Sequence, residues 1–227
     1  MDDKSVAKVG GVCSIIVGIL YVLIGATFLL VPAEQKGGTG IDDLIRFLPS
    51  FNQNPTAMML LYLEFALGAI LAIAAVPAIS GLVRTVNEGW TRWTSNLAFL
   101  GFAVVAIYYF QMLAIVPSRA AAYVAGDVST KAAIAVPIGV DPQFLLRYGV
   151  IGLWMLVVSI LALRGGKLPK LLSIVGIIAA ILYWLLAAND ILGVATIIRP
   201  IIAIAGGIIA APIWFIWVGL KLLKTTS

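Results

Sequence analysis

Six long runs of apolar residues, separated by polar stretches, dominate the pattern along this chain of 227 residues. A run of about 20 apolar residues is long enough to cross the hydrocarbon core of a bilayer as an α-helix. The pattern therefore predicts an all-α polytopic membrane protein, a six-transmembrane-helix bundle that forms a single membrane domain over residues 1–227. The predicted spans are residues 9–31, 56–79, 95–116, 144–163, 171–188 and 201–220.

Basic residues are distributed unequally between the two ends of these spans. Nine of the 15 Lys and Arg residues fall on the side that carries both chain termini, and six fall on the other side. Because cytoplasmic segments of membrane proteins carry an excess of Lys and Arg, we expect the N- and C-termini to be cytoplasmic. We expect a multi-pass protein of a bacterial-type plasma membrane.

Two longer connections lie on the predicted outer side, at residues 32–55 and 117–143. In the first, Ile41, Leu44, Ile45 and Leu48 share one face of a helix, which predicts an interfacial helix at residues 41–48 on the outer membrane surface. The second begins with an alanine-rich helical stretch and continues as a looser segment with Pro137 and Pro142.

Small residues recur at helical spacing within three of the spans. Such residues let helix backbones approach closely in lipid, so they predict packing seams inside the bundle, and the same pattern suits a homo-oligomer. The positions are Gly10, Ser14, Gly18 and Gly25 in the first span, Gly176 and Ala180 in the fifth, and Ala203, Gly207 and Ala211 in the sixth.

Composition narrows the chemistry that is available to this chain. It is 62% hydrophobic and 11% charged, with no His and one Cys, which excludes intrachain disulfides, imidazole ligands and thiolate zinc sites. No catalytic or phosphate-binding motif is present. We therefore expect no enzyme activity, no cofactor and no metal site. The net charge of +5 comes from residues at span ends, which favours lipid headgroups over nucleic acid as the partner.

Glu64 lies well inside the second predicted span, where a charged group is costly. Gly68, Ala72 and Ala75 follow it on the same helix face, so we expect Glu64 to point into the bundle. Arg147, at the outer end of the fourth span, lies at a similar depth and is the predicted ion-pair partner.

Further polar groups crowd the same outer half of the spans. They form, with Glu64 and Arg147, a predicted binding cluster, in which Arg199 is expected to pair with Asp190. The other halves of the spans hold few polar groups, and the exceptions Ser14 and Ser173 fit helix packing. The added members of the cluster are Tyr108, Tyr109, Gln111, Asn189, Asp190 and Arg199.

Three interpretations of this cluster stay open. A structural ion pair that fixes helix register is the first. A pocket for a lipid headgroup or a small amphiphile, open to the outer side, is the second. The third is a proton or ion relay, because intramembrane acids mark such pathways.

Four stretches of the sequence resemble an uncharacterised bacterial six-span membrane family, one of those known as a domain of unknown function. The second of them places an acid in the second span and Asn-Glu-Gly in the following connection. The resemblance implies a six-helix integral membrane protein and no particular activity. The stretches are KVGGVCSIIVGILYVLIG, LEFALGAILAIAAVPAISGLVRTVNEGWTRW, LPKLLSIVGIIAAILYW and PIWFIWVGLKLL.

Two functions follow as expectations. The first is a non-enzymatic structural or accessory component of a membrane assembly, either a homo-oligomer or a partner of other membrane subunits. The alternative is a protein that binds or transports a lipid or small molecule through the outer cluster around Glu64 and Arg147. Membrane lipids are expected partners in both.

Overall fold

The structure, a computed structural model, describes residues 3–36, 40–136, 141, 144–192 and 198–226. Nearly all of this part of the chain is helical, and it contains no strand. The α-helices are α1 (Asp3–Leu30), α2 (Ile41–Gln53), α3 (Thr56–Gly81), α4 (Glu88–Ala125), α5 (Val128–Ile134), α6 (Ile151–Arg164), α7 (Lys170–Leu192), α8 (Ile198–Ala203) and α9 (Ala211–Thr226).

Six helical stretches are long and apolar enough to cross a membrane, which confirms the predicted number of spans. Two of them contain a segment of π-helix, at Leu145–Val150 before α6 and at Ile204–Ala210 between α8 and α9. Spans 1 to 6 are Lys4–Leu30, Thr56–Val83, Glu88–Ala125, Leu145–Arg164, Lys170–Leu192 and Arg199–Thr225.

The six spans form a ring in chain order. Each span packs against the next one along the sequence, and α9 of span 6 returns to pack along α1 of span 1. The two ends of this ring differ. At one end, called the loop end here, lie α2 and α5. The opposite end carries the short connections that follow spans 2 and 4.

Glycines create the tightest contacts in the ring, as the small-residue pattern predicts. A Cβ on Gly10 would lie 2.2 Å from Ala78 Cβ in α3, and one on Gly18 would lie 2.9 Å from the Pro212 carbonyl in α9. Sequence reasoning missed Gly219, whose added Cβ would lie 2.6 Å from the Gly11 carbonyl oxygen. Gly207 is different, because a Cβ there meets no atom of the described residues within 4 Å. Its prediction as a packing residue is wrong.

The helix predicted at residues 41–48 is α2, and it continues to Gln53. Leu48 and Phe51 are almost fully buried, whereas Ile41 and Ile45 are exposed. The helix packs against α4, so part of its apolar face covers the loop end of the bundle.

Helix α4 is far longer than the predicted span at residues 95–116. Its 38 residues extend for about 57 Å at 1.5 Å per residue, which exceeds the roughly 30 Å of the hydrocarbon core. The predicted alanine-rich helix is the end of α4, and Pro117 lies inside it. Pro137 and Pro142, assigned to a looser segment, lie outside the described residues.

Large side chains fill the centre of the ring toward the opposite end. Trp154, Trp214, Phe102 and Phe215 are all buried there, and their rings pack edge to face. Toward the loop end, by contrast, the centre is hollow.

Candidate functional site: a cationic aromatic cavity

A cavity of about 400 Å³ occupies the centre of the ring near the loop end. All six spans contribute side chains to its wall, and α2 adds Leu44, Phe47 and Leu48. Six tyrosines and four phenylalanines make the lining strongly aromatic. Among the described residues, the charged members of the lining are Lys36, Arg119, Arg147 and Arg199, and all four are positive.

Arg147 is the most enclosed of these cations, with 9% of its surface exposed. Its guanidinium carbon lies 4.3 Å from the ring centre of Phe144, 4.6 Å from Tyr108 and 4.7 Å from Tyr109. One Nη1–H also donates a hydrogen bond to Tyr109 Oη at 3.0 Å. Cation–π contacts compensate part of the cost of burying a positive charge, but they supply no negative charge.

Local backbone geometry holds Arg147 in this place. Phe144, just before the π-helical segment, adopts a left-handed conformation with φ of +54°, which is unusual for a residue with a bulky side chain. The Arg147 backbone N–H donates to the Asp141 carboxylate at 2.9 Å, which satisfies one of the free N–H groups at this helix start. Strained residues and π segments concentrate at functional sites, and here both surround one arginine.

The other three cations lie around the margin of the cavity. Arg199 pairs with Asp190 at 2.7 Å, as predicted. Arg119 donates to the backbone carbonyls of Ile134 and Val136. Lys36 lies over the Phe28 ring at 5.1 Å. Within the described part of the chain, neither Arg119 nor Lys36 forms an ion pair.

Glu64 points into the bundle as predicted, with 7% of its surface exposed, but the predicted ion pair with Arg147 is wrong. Thr27 Oγ1 donates to Glu64 Oε1 at 2.9 Å, and Oε2 has no hydrogen-bond partner among the described residues. Similar depth was a poor guide, because span 2 packs against spans 1 and 3 whereas span 4 packs against spans 3 and 5. The carboxylate therefore faces α1, and the guanidinium faces α4.

The predicted cluster divides into two groups. Tyr108, Tyr109, Arg147 and Arg199 line the cavity. Glu64, Gln111, Asn189 and Asp190 do not, although Asp190 holds Arg199 in place.

Sequence reasoning missed Tyr21, Tyr62, Tyr148 and Tyr183, which lie on four different spans. It also missed Lys36 and Arg119, which lie in or next to the long connections. Tyrosines near one end of several spans were the available signal.

Polar groups also occur toward the opposite end of the bundle, where few were predicted. Ser80 Oγ accepts hydrogen bonds from Ser95 Oγ at 2.7 Å and from Trp154 Nε1 at 3.0 Å. These groups join spans 2, 3 and 4 within a packed region. They therefore favour a structural role over a continuous polar path across the bundle.

Comparison with known proteins supplies a family. A family model described as Domain of unknown function (DUF4386) matches residues 13–221, so the chain belongs to this family, and the resemblance noted in the sequence is confirmed. No curated protein and no solved structure matches the chain. The family description states no activity, so the cavity is the feature that bears on function.

Proposed function

We propose that this member of the DUF4386 family binds an amphiphilic molecule, a lipid or a lipid-like compound, in the loop-end cavity. One observation carries the proposal: a hollow lined by aromatic and aliphatic side chains, with cations on its wall, lies at the centre of a bundle of membrane-spanning helices. We infer a binding role without catalysis.

The size and lining of the cavity support this function. Ligand sites are typically clefts of roughly 300–1,000 Å³ with mostly apolar walls and a few convergent polar groups, and this cavity of about 400 Å³ fits that description. Arg147, the Tyr109 hydroxyl to which it donates and the Tyr108 ring lie together on one region of the wall. The remaining wall suits a hydrocarbon chain.

The position of the cavity mouth supports a ligand from the membrane. Most lining residues are buried or half-buried, and the exposed ones all lie near the C-terminal end of α1 or near the start of span 6. Leu29, Leu30 and Ile201 beside them are apolar and strongly exposed, as expected for a surface that faces lipid. The exposed lining residues are Phe28, Lys36, Pro200 and Ile204.

The dense packing toward the opposite end favours binding over passage. Trp154 and Trp214 fill the ring below the cavity and have no exposed surface. Transport sites generally lie near the midplane and need broken helices or a polar path on both sides. A ligand in this cavity leaves by the way it came.

The test is native mass spectrometry of protein extracted gently with its own lipids. Wild-type protein should carry one small amphiphile per chain, and Gly207→Leu should lose it, because residue 207 lines the cavity and an added Cβ meets no neighbour. Gly81→Leu is the matched control, since its Cβ also meets nothing within 4 Å but lies away from the cavity. Equal retention by wild type and Gly207→Leu would refute the proposal.

A structural or accessory role in a membrane assembly is the second candidate. Val124, Val128 and Val136 are apolar and exposed around the end of α4 and α5, where α4 extends beyond the length needed to cross a bilayer. Such exposed apolar residues are typical of a contact surface for another subunit or a second copy. The same mass spectra test this role: a defined oligomer that Val128→Asp dissociates would support it. We propose a bacterial-type plasma membrane as the location for either function.

A further inference from the structure

We propose that the head of the ligand is an oxyanion, a phosphate or carboxylate group, which Arg147 binds inside the aromatic cavity while the apolar chain lies toward the mouth between spans 1 and 6. This inference rests on the proposed function and specifies its ligand class. The shared chemistry is a negatively charged oxygen group on one hydrocarbon chain.

The charge of Arg147 has no carboxylate partner among the described residues. The guanidinium is buried among rings, and no carboxylate of the described residues lies within ion-pair distance of it. The nearby Asp141 carboxylate accepts the backbone N–H of Arg147. Glu64, the acid predicted to neutralise Arg147, bonds to Thr27 and does not line the cavity. A buried charge is stable only when it is paired, so an anion supplies what the protein lacks.

The donor geometry of Arg147 also fits an oxyanion. A guanidinium presents five N–H donors in a planar fork that matches the two oxygens of a carboxylate or phosphate. The hydrogen bond to Tyr109 Oη uses only part of this capacity. The rings of Tyr108 and Phe144 fix the plane of the fork, which reduces the entropy that it loses when it binds an anion.

The sign of the remaining charges on the cavity wall favours the same kind of head. Arg119 and Lys36 lie on the wall without carboxylate partners among the described residues, and Arg199 is the only lining cation with one. A cationic head would meet three positive side chains that lack a carboxylate partner among the described residues. A neutral head would leave Arg147 as it is. Of the three kinds of head, only an anionic one attracts the positive side chains of the cavity wall.

The exposed end of the cavity indicates where the hydrocarbon chain of the ligand lies. From Arg147 the wall passes through aromatic rings to Phe28 and Ile204, which are 38% and 48% exposed. These two residues flank the seam between spans 1 and 6. Lys36 lies at the same margin, over the Phe28 ring.

The experiment compares ligands of matched chain on the full-length protein in a neutral detergent. The probes are a 1-acyl lysophosphatidate, the 1-monoacylglycerol and the free fatty acid with the same acyl chain, and inorganic phosphate. Dissociation constants are measured by native mass spectrometry titration. We expect the lysophosphatidate to bind more tightly than the monoacylglycerol by about tenfold or more, as a charge-assisted hydrogen bond provides. Inorganic phosphate should bind far more weakly than either.

Substitutions of Arg147 test whether this residue causes the preference for the charged lipid. In Arg147→Gln, the dissociation constant of the lysophosphatidate should rise to that of the monoacylglycerol. Arg147→Lys should keep part of the preference for the lysophosphatidate, because it keeps the positive charge without the planar fork of donors. The control is Arg46→Gln, which removes the same charge from an exposed position outside the cavity and should leave the preference intact.

Each result distinguishes this inference from the proposed function. Equal binding of the charged and neutral lipids to wild type overturns the oxyanion inference and leaves amphiphile binding in place. Binding of neither overturns both. Because this comparison uses wild-type protein, it decides the question even where Arg147→Gln fails to fold. Tighter binding of the lysophosphatidate than of the fatty acid identifies a phospholipid as the source, and the reverse order identifies a free fatty acid; both orders support the oxyanion.

Discussion

The single substitution Gly219→Ala tests the close packing of α1 against α9. The added Cβ would lie 2.6 Å from the Gly11 carbonyl oxygen and 2.7 Å from Ile15 Cγ1. Both distances are shorter than real Cβ contacts. The Gly11 oxygen belongs to a helix backbone and has no rotamer to change, so the two helices must separate locally.

The magnitude follows from two opposing effects. Overpacking by one methyl group in a close-packed interior costs about 1–3 kcal/mol. Replacing a glycine inside a helix with alanine returns about 0.5–1 kcal/mol. Gly207→Ala in the same span gains the second effect without the first, since its Cβ meets nothing within 4 Å. The difference between the two variants therefore isolates the contact, and we expect it to be about 1–3 kcal/mol in favour of Gly207→Ala.

The assay is reversible unfolding in mixed micelles, titrated with sodium dodecyl sulfate and followed by far-ultraviolet circular dichroism. Both variants and the wild type are measured in the same detergent, so the micelle contributes equally to each free energy of unfolding. Gly219→Ala should unfold at the lowest fraction of dodecyl sulfate. If it proves as stable as Gly207→Ala, the close approach of α1 and α9 is not present in the protein, and the ring is open at that point.

Three further predictions concern single groups. Thr27→Val should destabilise the fold by about 1–3 kcal/mol, because Glu64 then loses its hydrogen-bond donor. Glu64→Gln keeps an acceptor for Thr27, so it should change the free energy of unfolding by less than about 1 kcal/mol. A larger loss of stability in Glu64→Gln would contradict this prediction. Arg46→Cys and Lys167→Cys, each introduced into a variant without Cys13, test the orientation with a membrane-impermeable maleimide. The maleimide should label the cysteine at position 46 on intact cells and the cysteine at position 167 only after lysis. The opposite pattern would contradict the predicted orientation. Asp127 caps α5, and hydrogen bonds from the first turn of that helix lower the pKa of its carboxyl from 3.8 to about 2. The charged cap therefore stabilises α5 at neutral pH, and this stabilisation is lost as the pH falls from 3.8 to about 2. An NMR titration of the Asp127 carboxyl with its midpoint at 3.8 would refute this prediction.

Features that depend on one helix at a time were predictable from the sequence. The number of spans follows from the length of the apolar runs, and the inward position of Glu64 follows from Gly68, Ala72 and Ala75 on the same face. The pair Arg199–Asp190 was also accessible. The two residues bracket the connection between spans 5 and 6, so the turn of the chain alone brings them together.

Features that depend on which helices are neighbours were not predictable. Depth in the membrane placed Arg147 opposite Glu64, but the order of the ring separates spans 2 and 4. The π-helical segment that carries Arg147 has no sequence signal of its own. Neither does the left-handed Phe144, which forms part of the aromatic wall. The true surroundings of Arg147 come from rings on spans 3 and 4, and only the fold shows their convergence.

The chain-order ring also explains why a cavity mouth lies where it does. Five of the six seams in the ring join spans that follow each other along the chain and share a connection. The seam between spans 1 and 6 has none, so packing alone closes it. At its far end Gly11, Gly18 and Gly219 bring the two helices into near backbone contact. At the loop end the same seam carries Phe28 and Ile204 on the margin of the cavity. Spans 1 and 6 can separate at the loop end without stretching a connection between them. The glycine contacts at the far end of the seam limit how far such an opening extends. Uptake and release of the proposed amphiphile through this seam would therefore require local movement near the loop end and would leave the rest of the ring intact.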